Sequence, residues 1–208
     1  YSLAKGRAEK TPDAFDKAIL EKIEESSIPY WFPTDRMPEG EESRRNDRTG
    51  ITHVHHFYTK RNLWVLSKFL NKLNNYSKRL TTFFQFGLLN TSWHATLMRR
   101  INPRGGHRPL SGTLYIPSLP SEGNMINVHE NKISQLNRFE SIMRFNESNL
   151  YVDTTDSNNM LFEKNSIDYI FTDPPFGGNL MYSELNFLWE TWLKVFTNNK
   201  KEAIENSI

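Results

Sequence analysis

The chain has 208 residues, a formal net charge of +2, 37% hydrophobic and 13% aromatic residues, and no cysteine. That length suits one large domain or a domain plus an insertion, with enough apolar content for a real core. The composition excludes disulfide cross-links, an apolar run long enough to span a membrane, and a bulk charge that would by itself announce a nucleic-acid binder. The first residues show no signal-peptide pattern, and the expected location is cytoplasmic.

Thr11-Pro12 predicts the start of a helix whose apolar stripe is Phe15, Ala18, Ile19 and Ile23, ending before Pro29. Tyr30-Trp31-Phe32, between two prolines, suits burial against the domain or a docking edge. Residues 34–50 are densely charged, carry Pro38, Gly40 and Gly50, and read as a flexible loop. Arg44, Arg45 and Arg48 form a basic knot within it, a candidate for phosphate contacts. The neighbouring Glu39, Glu41, Glu42 and Asp47 favour a plain solvated loop.

His53, His55 and His56 invite a metal reading. Strand alternation puts His53 and His55 on one face and His56 on the other, and no cysteine or clustered acid completes a ligand set. A half-buried strand or turn is expected, with no metal. Thr59 has the position of an N-cap for a helix with Leu63, Leu66, Leu70 and Leu73 on one stripe and Phe69 beside it. Residues 78–101 read as two helical pieces broken between residues 87 and 92.

Residues 102–126 include a short predicted strand, Thr113 to Ile116. Basic residues alternate here with polar and aromatic ones: Arg99, Arg100, Arg104, Arg108 and Tyr115. This suits a DNA-facing insertion that tracks phosphates. Helix-terminal cations followed by a meandering loop explain the same pattern. Residues 130–145 predict an amphipathic helix through Ile133, Leu136, Ile142 and Met143, covering a sheet and feeding a strand at Leu150-Tyr151-Val152. A last helix, from near Ser183, carries Leu185, Leu188, Trp189, Trp192, Leu193 and Phe196, a core signal.

Before that helix stands Ile167-Asp168-Tyr169-Ile170-Phe171-Thr172-Asp173-Pro174-Pro175-Phe176. Alternation and β-branched and aromatic residues predict a short buried strand ending at Asp173. The two prolines fix their own φ and donate no backbone hydrogen bond, so the chain beyond Asp173 is stiff. In an open α/β sheet, ligands bind past the carboxyl ends of strands. A carboxylate, a free carbonyl and an aromatic face held there suit a planar group bearing an amine.

Asp173-Pro174-Pro175-Phe176 resembles the Asp/Asn/Ser-Pro-Pro-Tyr/Phe motif of S-adenosylmethionine-dependent amino-methyltransferases, in particular an adenine-specific DNA methylase group. The lead-in at residues 149–153 and 161–168 and the follow-on Gly177 to Glu184 are similar to that group. The resemblance covers residues 149–196, with a weaker match at residues 50–73, where Thr59-Lys60-Arg61-Asn62-Leu63 resembles a Thr-x-Arg-Asn/Gln-Leu segment. It implies an α/β fold: part of a class I methyltransferase (Rossmann-like) sheet with an α-rich flanking or inserted segment. Residues 1–58 then form an N-terminal helix and charged loop, 59–130 a helical segment with a DNA-facing insertion, and 131–208 the portion of the core that carries the motif.

The implied activity is methyl transfer to an exocyclic amine of DNA, adenine N6 ahead of cytosine N4. An exocyclic aromatic amine is a poor nucleophile. Asp173 and the Pro174 carbonyl would accept hydrogen bonds from its two N–H groups, preorganised for the positive charge that develops on nitrogen. Pro175 stiffens that corner, and Phe176 stacks on a base flipped out of the duplex. The resemblance places Asp153, with Asp156 as runner-up, at the cofactor's adenine amine. Thr59 and Asn62 fall near its methionine end, and Asn179 and Tyr182 in the base pocket. Arg104 and Arg108 are the candidate DNA contacts. Implied partners are DNA and a restriction-modification partner, with no membrane.

The Phe-x-Gly-x-Gly cofactor loop of such enzymes is missing from the sequence; Arg104-Gly105-Gly106-His107 follows Asn102-Pro103 rather than a strand and reads as a surface turn. The chain is therefore expected to be a piece of a longer protein, inactive alone. An RNA guanine-N2 methyltransferase and a non-catalytic DNA-binding module remain alternatives.

Overall fold

In the computed structural model, residues 10–103, 106–142, 151–153, 155, 160–174 and 180–198 are described. Helix α1 spans Ala14–Glu25 and opens with a reciprocal capping box between Asp13 and Asp16, so the cap lies at Asp13 rather than at Thr11. Its predicted stripe is not buried: Phe15 is 69% exposed. The helix touches α3, and the Trp64 indole N–H donates to Ser26 Oγ just beyond its end at 2.9 Å.

The supposed flexible loop is ordered and carries a helical turn, α2 (Glu41–Arg44). Arg44 holds it, donating to the Met37 carbonyl at 2.8 Å and pairing with Glu39 and Asp47. Arg45 pairs with Glu42. Two of the three arginines of the basic knot are thus matched by carboxylates within a few residues.

Helix α3 (Lys60–Leu73) starts as expected, with the Asn62 N–H donating to Thr59 Oγ1 at 3.3 Å. Leu63, Leu66 and Leu73 are buried. Helix α4 (Lys78–His94) runs without a break through Gly87, which overturns the predicted interruption. Glycine serves there for close approach: a Cβ at residue 87 would lie 2.9 Å from Ile133 Cδ1 on the helix packed against it. That helix, α5 (Met125–Ile142), covers α4 and α3 instead of a sheet. Helix α6 (Tyr182–Leu193) buries Leu185, Leu188 and Trp192, and ends at Lys194 in the left-handed conformation. Phe196 lies beyond it and is 54% exposed.

One core joins these elements. Met37, Phe57, Leu66, Met98, Leu114 and Leu188 are among its most buried members. The expected Rossmann-like α/β sheet is not seen. Among the described residues there is no β-strand, only isolated bridges: Arg36 with His53, Tyr58 with Thr96, and Arg100 with Pro120.

The predicted strands fail for specific reasons. A strand needs neighbours to pair its backbone groups. Over 167–172 no ladder partner is present among the described residues, and Tyr169 and Phe171 are about 80% exposed. Tyr151 and Val152 are likewise exposed and, among the described residues, have no strand to pair with. At 113–116, side chains replace a ladder. Glu42 Oε2 accepts from the Leu114 N–H at 2.7 Å, and the Asn46 amide donates to the Leu114 carbonyl at 2.9 Å.

Candidate functional site

Asp173 and Pro174 stand exposed at the end of the extended segment 167–174. The sheet edge foreseen for them is absent. Pro175, Phe176 and Asn179 lie outside the described residues, as do Arg104 and Asp156. Leu180, where the described chain resumes, fits against Gly112: a Cβ there would lie 2.9 Å from Leu180 Cδ2. Tyr182 opens α6 and is 40% exposed.

Two residues later the chain is clamped from below. Glu184 is 1% exposed, and its Oε2 accepts the Ser43 backbone N–H at 2.5 Å. Ser43 holds the third position of α2, a helix start whose own cap residue, Gly40, offers no side chain. A carboxylate there also complements the helix dipole. Glu42 of the same turn reaches the other way, to Thr113 Oγ1 and Leu114 N. The start of α6 is therefore fastened to α2, and α2 to residues 113–114.

Sequence reasoning did not single out this clamp. A signal existed: Glu184 shares the apolar face of α6 with Leu188 and Thr191 at i, i+4 and i+7, where a charge demands a buried partner.

The residues assigned to the cofactor do not converge. Asp153 is exposed and accepts from the Tyr151 hydroxyl at 3.2 Å, a bond that raises the Tyr151 pKa. The Asn62 amide is buried and donates to the Ala95 carbonyl at 2.8 Å, tying α3 to the end of α4. The Thr59 hydroxyl donates to Glu122 at 2.7 Å, and the Arg61 guanidinium also pairs with Glu122. A carboxylate thus already sits at the α3 N-terminus, supplied by the chain itself.

A cavity of about 450 Å³ lies nearby, lined by Ser26, Phe32, His55, His56, Tyr58 and Lys60 among others. Its volume falls in the range of small-molecule sites, about 300–1,000 Å³. None of Thr59, Asn62 and Asp153 lines it. The predicted trio does not fit S-adenosylmethionine as one cradle.

The three histidines are closer than alternation predicted. A 3-10 turn over Val54–Phe57 brings the rings of His53, His55 and His56 within 4.2–5.7 Å of one another. Burial lowers the His55 pKa, and the imidazoles of His56 and His53 lower it further. Among the described residues, no group of three or more histidine, cysteine or acidic side chains is placed to hold a metal ion. No helix among them is long and apolar enough to cross a membrane.

Arg108 is exposed, and its carbonyl accepts from the Arg100 N–H at 3.4 Å. Tyr115 is 42% exposed. Compared with known protein families, with curated proteins and with solved structures, the chain matches none.

Proposed function

We propose that this chain supplies the amine-gripping half of a DNA amino-methyltransferase that uses S-adenosylmethionine, adenine N6 favoured over cytosine N4. The observation that carries this is Asp173-Pro174-Pro175-Phe176 itself, with Asp173 and Pro174 open to solvent. An acceptor pair for an amine must be reachable, and a buried turn would not be. Asp173 Oδ and the Pro174 carbonyl accept hydrogen bonds from the two amine N–H groups. This localises the nitrogen lone pair and stabilises charge that appears only in the transition state. Phe176 stacks on the extruded base.

A non-catalytic DNA-binding role is favoured by one observation: the three residues assigned to the cofactor do not come together. Methyl transfer from labelled S-adenosylmethionine to duplex DNA, compared with structured RNA, tests the proposal in this chain and in longer proteins that contain it. Transfer to DNA that disappears in Asp173→Ala is expected. Near-normal turnover by Asp173→Ala would overturn the chemistry, and transfer to RNA alone would overturn the substrate.

A further inference from the structure

The end of α1, the histidine turn and the start of α3 border the open cavity of about 450 Å³. Some of its polar walls are already engaged by the fold. Ser26 Oγ donates to the Ile23 carbonyl at 2.7 Å and accepts the Trp64 indole N–H at 2.9 Å. The Tyr58 hydroxyl accepts from Trp192.

Other groups in the same cavity are not engaged. His56 Nδ1 accepts the Thr52 backbone N–H at 3.2 Å, so the proton of that ring sits on Nε2. Among the described residues Nε2–H has no acceptor. An ammonium carries three donors. Lys60 Nζ spends one on the Glu24 carbonyl and makes no ion pair with a described carboxylate, that of Glu24 included. The His55 ring has no hydrogen-bond partner among the described residues, and its Nδ1 is buried. Ile28, Phe32 and the buried Leu63 supply the apolar wall, with the Phe32 ring 6.2 Å from that of His55.

Donors without acceptors, set beside aromatic and aliphatic surface, specify a ligand with an anionic end and an apolar body. The charge is limited to one. Lys60 is the only ammonium that lines the cavity, and the exposed Glu24 at the rim opposes a second negative charge. We propose that this cavity binds a small aromatic monocarboxylate, its carboxylate on Lys60 Nζ and His56 Nε2–H and its ring against Phe32, Ile28 and Leu63. None of the residues assigned to methyl transfer lines the cavity, so the site stands apart from the chemistry at Asp173.

The test is titration of the 208-residue chain with 3-phenylpropionate, followed by nuclear magnetic resonance of the histidine ring C–H signals. Signals of His55 and His56 should shift and saturate, while those of His94 and His129 stay in place. Lys60→Gln and His56→Asn should each weaken binding about tenfold, the worth of one hydrogen bond to a charged group. Asparagine at 56 keeps an acceptor for the Thr52 N–H. Lys68→Gln, which removes the same charge from an exposed position of α3, should leave affinity unchanged. Circular dichroism checks the fold of each variant. The neutral 3-phenylpropionamide should bind at least about tenfold more weakly to the wild-type chain, a comparison that needs no variant.

Equal affinity for acid and amide overturns the site. So does wild-type affinity in a folded Lys60→Gln variant, or the lack of a saturable shift at about 10 mM ligand. Tighter binding of phenyl phosphate than of 3-phenylpropionate overturns the restriction to a single charge.

Discussion

The Glu184 carboxylate accepts the Ser43 backbone N–H across 141 residues of sequence, and it does so against Gly40, which has no side chain to keep it away. A helical turn of four residues has too few internal bonds to be stable alone. Here its start is capped by a carboxylate from another helix. The carboxylate belongs to the first turn of α6.

Glu184→Ala should therefore destabilise the chain by about 1–3 kcal/mol in urea unfolding, since it leaves a buried N–H without an acceptor. Gly40→Ala should destabilise the wild-type chain, because the added Cβ would fall within the Glu184 carboxyl group. Combined with Glu184→Ala, the same substitution should cost clearly less. A double-mutant cycle reads this coupling, and additive effects would disprove the contact.

Gly87 separates two effects of opposite sign. Alanine in a helix interior is favoured over glycine by about 1 kcal/mol. Its Cβ would meet the end of the flexible, half-buried Ile133 side chain, which can shift. Gly87→Ala is expected to change stability by less than about 1 kcal/mol. Gly87→Leu must force α4 and α5 apart and should destabilise by about 1–3 kcal/mol. Equal unfolding midpoints for the two variants would contradict close helix packing at this position.

The Tyr58 hydroxyl accepts from the Trp192 indole N–H at 3.1 Å, both side chains being buried. Burial drives the phenol pKa far above its ordinary value, so it stays neutral at any working pH. Tyr58→Phe keeps the ring and strands the indole N–H, at a cost of about 1–3 kcal/mol. Thermal unfolding of the variant with a wild-type midpoint would exclude this bond as a tether of α6.

Acid should weaken the fold through its buried imidazoles. His55, His94 and His129 all lie below the ordinary imidazole pKa of 6.5, with burial the first cause in each. The unfolded chain then binds protons more readily than the folded one. Stability is unaffected well above pH 6.5 and falls as pH drops through that value toward the lower folded pKa values. Urea midpoints should decline between about pH 7.5 and 5. His129→Gln, which removes a ring that approaches Thr91 Oγ1 at 3.0 Å and Phe69 at 4.8 Å, should flatten that decline.

Phe176→Ala should weaken binding of DNA carrying an unpaired target base by about 1–3 kcal/mol, the worth of one stacked base. Fully paired duplex should be affected less. Equal losses on both substrates would remove Phe176 from the base pocket.

Local chemistry was enough to read much of this protein from its residues. Thr59 announces a helix because its side chain caps it, and α6 is legible because Leu185, Leu188 and Trp192 repeat at helical spacing. What only the tertiary structure decided were relationships between distant segments. Ile167 to Thr172 has the alternation of a strand, yet a strand exists only where another backbone pairs with it, and none of the described residues does so. Leu114 finds its backbone partners in Glu42 and Asn46, and Gly87 marks helix packing instead of a break. Capping and periodicity act within a few residues, whereas ladder pairing, buried charge partners and close helix approach depend on groups far apart in the chain.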